Sequence, residues 1–409
     1  MDKKIVVIAL VAVIVVVAAV AIFMMPSNSN TDSKDFSVIG RVNSEGSGII
    51  LNPGLDTDDF ITVQKEQPAA GAVYRYNAET QEYMVFHKEG WSGKVIATPG
   101  TSTIQHVQLG DLANEMGLTY KSYSDTRDEP NTLYYVANVA SFADYVNLTK
   151  TTPLTGYIIW EAQVSVAKVS GYTVLALTND LFEGHTCCII GASQNYIKNN
   201  KDVLLTFLDV YADAVDKINA ALADTASSDY EKLVNIAINR VTMPDSMTDA
   251  QKREAIISAL KNVTYAYSDD TTGVLTDLKK DIAVLAESFY QAGSVSYSAS
   301  DLGFKSYTDL ANKFVVDTYI KDAVAGKYTK LDSARTINVA AIKGDIHQIA
   351  LWFAIDTGMF EGTNLKVNVS QQNNGPGVFT QLSNGESDIG FLGAPPMTMR
   401  SMNAKLISP

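Results

Sequence analysis

Apolar positions along the chain follow three different rhythms. From Ile5 to Met25 they are unbroken, behind Lys3 and Lys4. At 1.5 Å per residue that run spans roughly 30 Å, the apolar thickness of a bilayer. Lysines on the short N-terminal side orient that side to the cytoplasm. The run predicts an uncleaved transmembrane signal anchor, with a cleaved signal ending near Ala19-Val20-Ala21 as the alternative. No cysteine follows it, which argues against a lipoprotein. Pro26 to Asp35 reads as a polar tether, so residues 1–35 form anchor and tether and the body is extracytoplasmic, at the cell surface or in a periplasm.

Beyond the tether, short apolar runs alternate with helical spacing. Strands are predicted at 36–41, 94–97, 133–137, 156–160, 172–177 and 186–190, and helices at 103–116 and near 140–148. Residues 52–90 are turn-rich and read as a hairpin insert. From about 195 to 325 the spacing is helical throughout: 203–222, 230–241, 249–261, 271–291, 306–315 and 317–325. Alternation returns after the linker Ser333-Ala334-Arg335, with strands at 337–342, 365–369 and 389–392 and helices at 348–357, 378–383 and 396–403. Alternating short strands and helices predict an α/β fold with a mostly parallel sheet.

Composition narrows the function. The chain has 409 residues, enough for two or three domains. Its 32 Lys+Arg against 45 Asp+Glu leave a net charge of −13, which opposes a nucleic-acid partner. The 2 cysteines are neighbours, Cys187 and Cys188, whose side chains are expected to diverge, so neither a disulfide framework nor a thiolate metal cage is expected. His87, His106, His185 and His347 lie far apart in sequence, and no GxSxG, Walker, GxGxxG, CxxC or HExxH pattern occurs. No enzyme activity, metal or cofactor is expected. Asn147, Asn262 and Asn368 head possible glycan acceptor triplets.

Four predicted strand ends run into small polar residues that open a helix: Gly344-Asp345-Ile346-His347, Gly393-Ala394-Pro395-Pro396, Asn43-Ser44-Glu45-Gly46-Ser47-Gly48 and Pro99-Gly100-Thr101-Ser102. A helix start offers unpaired N–H groups and the positive end of the dipole, so several around one cleft suit a small anion. Each alone is equally an ordinary βα loop. Trp160-Glu161 closes an apolar strand and is expected opposite them; a core Trp with a solvated Glu is the plain alternative. The expected ligand contacts are therefore Gly344, Asp345, His347, Gly393, Ala394, Pro395, Ser47, Gly48, Thr101, Ser102, Trp160 and Glu161.

The segment INVAAIKGDIHQIALWFAIDTGMFEGTNLKVNVSQQNNGPGVFTQLSNGESDIGFLGAPPMTM (337–399) resembles the N-terminal lobe of solute-binding proteins of ABC transporters of the nitrate/sulfonate/taurine class. GKVIATPGTSTIQHVQL (93–109) and GYIIWEAQVSVA with GHTCCIIGAS (156–193) are similar to the second lobe, and VIGRVNSEGSGII (38–50) to the segment joining the two. The likeness covers nearly all of 36–409 apart from 52–90, but the order differs: the family's first block is last here. The resemblance implies a circularly permuted, two-lobed periplasmic-binding-protein-like (type II) fold with mixed and parallel sheets. The old termini would be joined near 326–337, with 401–409 running naturally into Phe36. Two truncated domains in tandem are the rival account.

On this reading lobe 1 comprises 36–51, the helical region and linker 188–336, and 337–409; lobe 2 is 52–187 with its insert at 52–90. The implied function is capture of a small anion, a sulfonate, nitrate or similar, by cleft closure, and delivery to an ABC permease by a monomeric receptor. A pyrimidine of the thiamine-precursor type and a membrane-tethered sensor are the alternatives.

Overall fold

Consecutive residues in the strands belong to opposite cores. Ile190, Val339 and Phe391 pack on one side of a sheet, while their neighbours Ile189, Ala340 and Leu392 pack on the other. Ile49, Ile96 and Ile158 against Ile50, Val95 and Ile159 repeat the pattern in a second sheet. Strands apolar on both faces require helices on both faces, and that is the architecture. The structure, a computed structural model, describes residues 35–124, 129–269 and 275–409. The expected membrane span lies outside these residues. Among the described residues, no helix is long and apolar enough to cross a membrane.

In chain order the strands are β1 (Phe36–Glu45), β2 (Ser47–Leu51), β3 (Ile61–Gln64), β4 (Tyr74–Asn77), β5 (Glu82–Phe86), β6 (Val95–Ala97), β7 (Thr119–Ser122), β8 (Thr132–Val136), β9 (Gly156–Trp160), β10 (Thr173–Leu177), β11 (Thr186–Ser193), β12 (Val263–Tyr265), β13 (Arg335–Ile342), β14 (Leu365–Gln372) and β15 (Ile389–Gly393). The first sheet runs β12-β1-β11-β15-β13-β14 and the second β10-β2-β9-β6-β8-β7. Both are mixed. β13 is parallel to β14 and β15, and β6 is parallel to β8 and β9, whereas β1, β2, β10 and β11 run antiparallel to their neighbours. β3, β4 and β5 form a small antiparallel sheet of their own, a third strand more than the expected hairpin.

The helices Lys201–Ala223 and Ile349–Asp356 cover one face of the first sheet, and Leu278–Gln291, Gly375–Asn384 and Ala394–Asn403 cover the other. Among the described residues the chain crosses between the two six-stranded sheets twice. The first crossing is a single residue, Gly46, between β1 and β2. The expected helix start at Asn43–Gly48 is therefore wrong, and the segment 36–51 is divided between the sheets instead of belonging to one. Asn, Ser and Gly open helices, but they equally serve a chain that must turn sharply between two sheets. The second crossing lies between β10 and β11, and Glu45 ties it to the first. Its carboxylate accepts from the Gly184 N–H at 2.7 Å, Asn179 Nδ2 at 3.1 Å and Thr264 Oγ1 at 2.8 Å. β13 shares the first sheet with β1, and the Phe36 N–H donates to the Leu406 carbonyl at 2.8 Å, so the two ends of the described body meet.

Candidate functional site

The carboxyl ends of β13, β14, β15 and β6 each pass into a helix start, and these four starts surround one cavity of about 330 Å³. After β13, Asp345 caps the turn by accepting from the His347 N–H at 3.0 Å. After β14, Asn374 accepts from the Gly377 N–H at 2.9 Å, and after β15 Gly393 leads into Pro395 and Pro396. After β6, Thr103 rather than Thr101 or Ser102 is the cap, accepting from the His106 N–H. Trp160 at the end of β9 and Asn138 complete the side formed by the second sheet. A larger groove of about 760 Å³ lies between the Leu278–Gln291 and Tyr307–Phe314 helices, where no strand end reaches it. Strand ends and helix starts make the smaller one the candidate ligand site.

Of the sequence-predicted residues, Asp345, His347, Gly393, Pro395, Thr101, Ser102 and Trp160 line the cavity. The other five do not. Gly344 is pressed against Thr242, where a Cβ would come within 1.9 Å of its Oγ1. Ala394 is fully buried beneath its neighbours. Ser47 and Gly48 are strand residues, not helix-start residues; Ser47 reaches the site only through Gln105, whose Nε2 donates to its Oγ at 2.8 Å. Glu161 is wholly buried and accepts from Asn262 Nδ2 at 2.7 Å and the Ser165 N–H at 3.1 Å. Burial pushes its pKa up.

The buried end of the cavity carries a group of side chains that the sequence did not bring together. Cys187, Cys188, Asp345 and His347 are each under a tenth exposed. The two sulfurs are 3.7 Å apart, and His347 Nδ1 lies 4.0 Å from Cys187 Sγ and 3.3 Å from Asp345 Oδ1. Neighbours in a strand normally face opposite ways. Here β11 is bulged against β1: Asn43 pairs with Cys188 and Ser44 with Thr186, so Cys187 is the extra residue. Both cysteines consequently join the same core.

His347 Nε2 is 2.9 Å from the Gly46 carbonyl. A carbonyl only accepts, so this nitrogen carries a proton and Nδ1 faces the cysteine and the carboxylate. Burial works against charge on the ring, but Asp345 and Cys187 lift its pKa to about 10. The Cys187 thiol is held low, first by its contact with Cys188 and also by His347. Burial pushes the Asp345 carboxyl up.

Arg400 lines the same cavity, half-buried, and its Nε has no hydrogen-bond partner among the described residues. It sits one helical turn beyond Pro396, on the face that a spacing of four residues presents to the site. That spacing was the available signal for Arg400. Asn374 was missed because the helix begins at Gly375, before its first periodic apolar residue, Val378.

The other histidines lie elsewhere. His106 is packed between Tyr120 and Tyr135, with Tyr120 Oη 3.2 Å from its Nδ1, and burial lowers its pKa to about 4. His185 Nδ1 meets the Phe182 carbonyl in the second crossing, and His87 meets Thr62 in the insert. No protein-family model, curated protein or solved structure matches the chain.

Proposed function

We propose that the chain is a two-lobed solute-binding receptor that closes on a small oxyanion and hands it to an ABC permease, circularly permuted relative to the nitrate/sulfonate/taurine class. The observation that carries this reading is Arg400. A guanidinium is always charged, and one left half-buried without an ionic partner is costly. An oxyanion entering the cavity removes that cost and gains the N–H groups of several helix starts at once. The single-residue crossing at Gly46 and the second crossing beside it supply a hinge between the two sheets. The contact of Phe36 with Leu406, and a shared sheet for β1 and β13, support the permuted order. Trp160 supports a second reading, a flat pyrimidine stacked on the indole.

A thermal-shift screen of the purified chain against nitrate, sulfate, alkylsulfonates, bicarbonate and aminopyrimidines separates the two. A ligand at 100 times its dissociation constant adds about 2.7 kcal/mol of stability. Stabilisation by an oxyanion that disappears in Arg400→Gln supports the first reading; stabilisation by pyrimidines alone favours the second. Turnover of any of these compounds would reject both.

A further inference from the structure

We infer that Cys187, Cys188 and His347 form a three-donor site for a thiophilic cation of the zinc class at the buried end of the cavity, with a fourth coordination position open to the ligand space. One ligand atom from each of the three lies within 4.8 Å of the others. Four-coordinate zinc with sulfur at about 2.3 Å has a tetrahedral S–S edge of about 3.8 Å. The observed separation is 3.7 Å. The Cys187 Sγ–His347 Nδ1 separation of 4.0 Å needs to close by a few tenths of an ångström, and the Cys188–His347 edge, which is within 4.8 Å, by at most about 1.3 Å to reach a tetrahedral S–N edge of about 3.5 Å.

Three independent features prepare the donors. The β-bulge turns two sequence neighbours to one side, which alternation alone would prevent. The Gly46 carbonyl occupies His347 Nε2 and fixes the ring so that Nδ1 is the free donor, the usual outer arrangement around a ligating histidine. Asp345 Oδ1, 3.3 Å from that nitrogen, adds a negative charge beside the trio. On binding, the cysteine ligands act as thiolates and His347 ligates as a neutral imidazole, so the thiol protons and the Nδ1 proton of the imidazolium leave to solvent. Two thiolates and a carboxylate around a divalent ion leave one negative charge at the buried end of the cavity. Soft sulfur donors select zinc or cuprous ion over magnesium or calcium. Three protein ligands with an open fourth position are the arrangement that accepts an exogenous donor atom.

The inference does not require the oxyanion reading, and the assay contains no candidate solute, so the two fail separately. The purified chain is reduced with a phosphine, stripped of metal and titrated with Co²⁺. Cys187 and Cys188 are the only cysteines in the chain. A thiolate-to-cobalt charge-transfer band saturating at one equivalent, displaced by Zn²⁺, therefore reports this pair. Cys187→Ser and Cys188→Ser, nearly isosteric, should each lose the band's full intensity and weaken Zn²⁺ binding by roughly 100-fold or more while retaining the native circular dichroism spectrum. Absence of the band in the folded wild-type chain overturns the inference without reference to any variant. So does a folded Cys188→Ser chain that binds Zn²⁺ as tightly as wild type.

Discussion

His347, in the turn after β13, and His106, in the helix after β6, are both largely buried, yet their surroundings drive them in opposite directions. His347 faces a carboxylate and a thiol and rises to about 10; His106 faces two tyrosine rings and falls to about 4. The same contrast runs through the two sides of the cavity. The first sheet contributes Asp345, His347, Arg400 and the cysteine pair. The second contributes Thr101, Ser102, Asn138, Gln105 and Trp160, none of them charged. Under the proposed function, two sheets of nearly the same construction would divide the labour of recognition. One side holds charge where desolvation makes each ionic contact strong, and the other offers a neutral surface that can approach and leave without rearranging charges.

The joint between the sides is the most sensitive place to break this division. Gly46 has φ +79°, and a Cβ there would lie 2.6 Å from His347 Nε2. Gly46→Ala should destabilise the fold by about 3 kcal/mol, from the left-handed backbone and the displaced imidazole together. Chemical denaturation would register it as a lower midpoint; an unchanged midpoint would mean that the crossing relaxes freely. Next in size is the anchor. Arg400→Gln should weaken oxyanion binding about 30-fold, equivalent to about 2 kcal/mol, by isothermal titration.

His106 tests the neutral side through pH. Its folded pKa of about 4 lies below the unfolded value of about 6.5, so the unfolded chain takes up the proton first. Stability should fall as pH drops from about 6.5 towards 4, by about 1 kcal/mol at pH 5 after allowance for partial exposure. Asp111 in the same groove, raised to about 6, acts with the opposite sign. The His106 contribution is therefore read as the difference between wild type and His106→Gln measured at pH 7 and pH 5. The smallest effect belongs to the helix start after β6. Because Thr103 supplies the cap, Thr101→Ala with Ser102→Ala removes only neutral contacts and should cost about threefold in affinity. A loss as large as that of Arg400→Gln would erase the contrast between the two sides.

Where the sequence could be read, it was because one periodicity dominated. The helix Asp249–Lys261 follows its apolar spacing and its Thr248 capping box to the residue, and Gly156–Trp160 is a plain apolar strand. β12 was missed because Val263–Tyr265 is too short to display a period and is held by pairing with β1. Asn43–Gly48 was misread because capping residues and crossover residues are the same small polar types. Glu161 reads as a cleft residue from its place after Trp160, yet Asn262, a hundred positions away, gives it a buried partner. The cysteine pair was misjudged for a similar reason. Alternation along a strand is a local rule, and the bulge that breaks it depends on β1, well over a hundred residues earlier.

The place of β15 between β11 and β13 has a consequence for synthesis. β1 and β11 can pair as soon as both have emerged, but the outer edge of β11 then waits for a strand made nearly 200 residues later. At about 5–20 residues per second, that edge stays open for roughly 10–40 s. An unpaired strand edge is a template for wrong pairing. The helical stretch translated in the interval, beginning with Lys201–Ala223 against the same sheet, is what the nascent chain has available to cover the apolar faces while the edge waits.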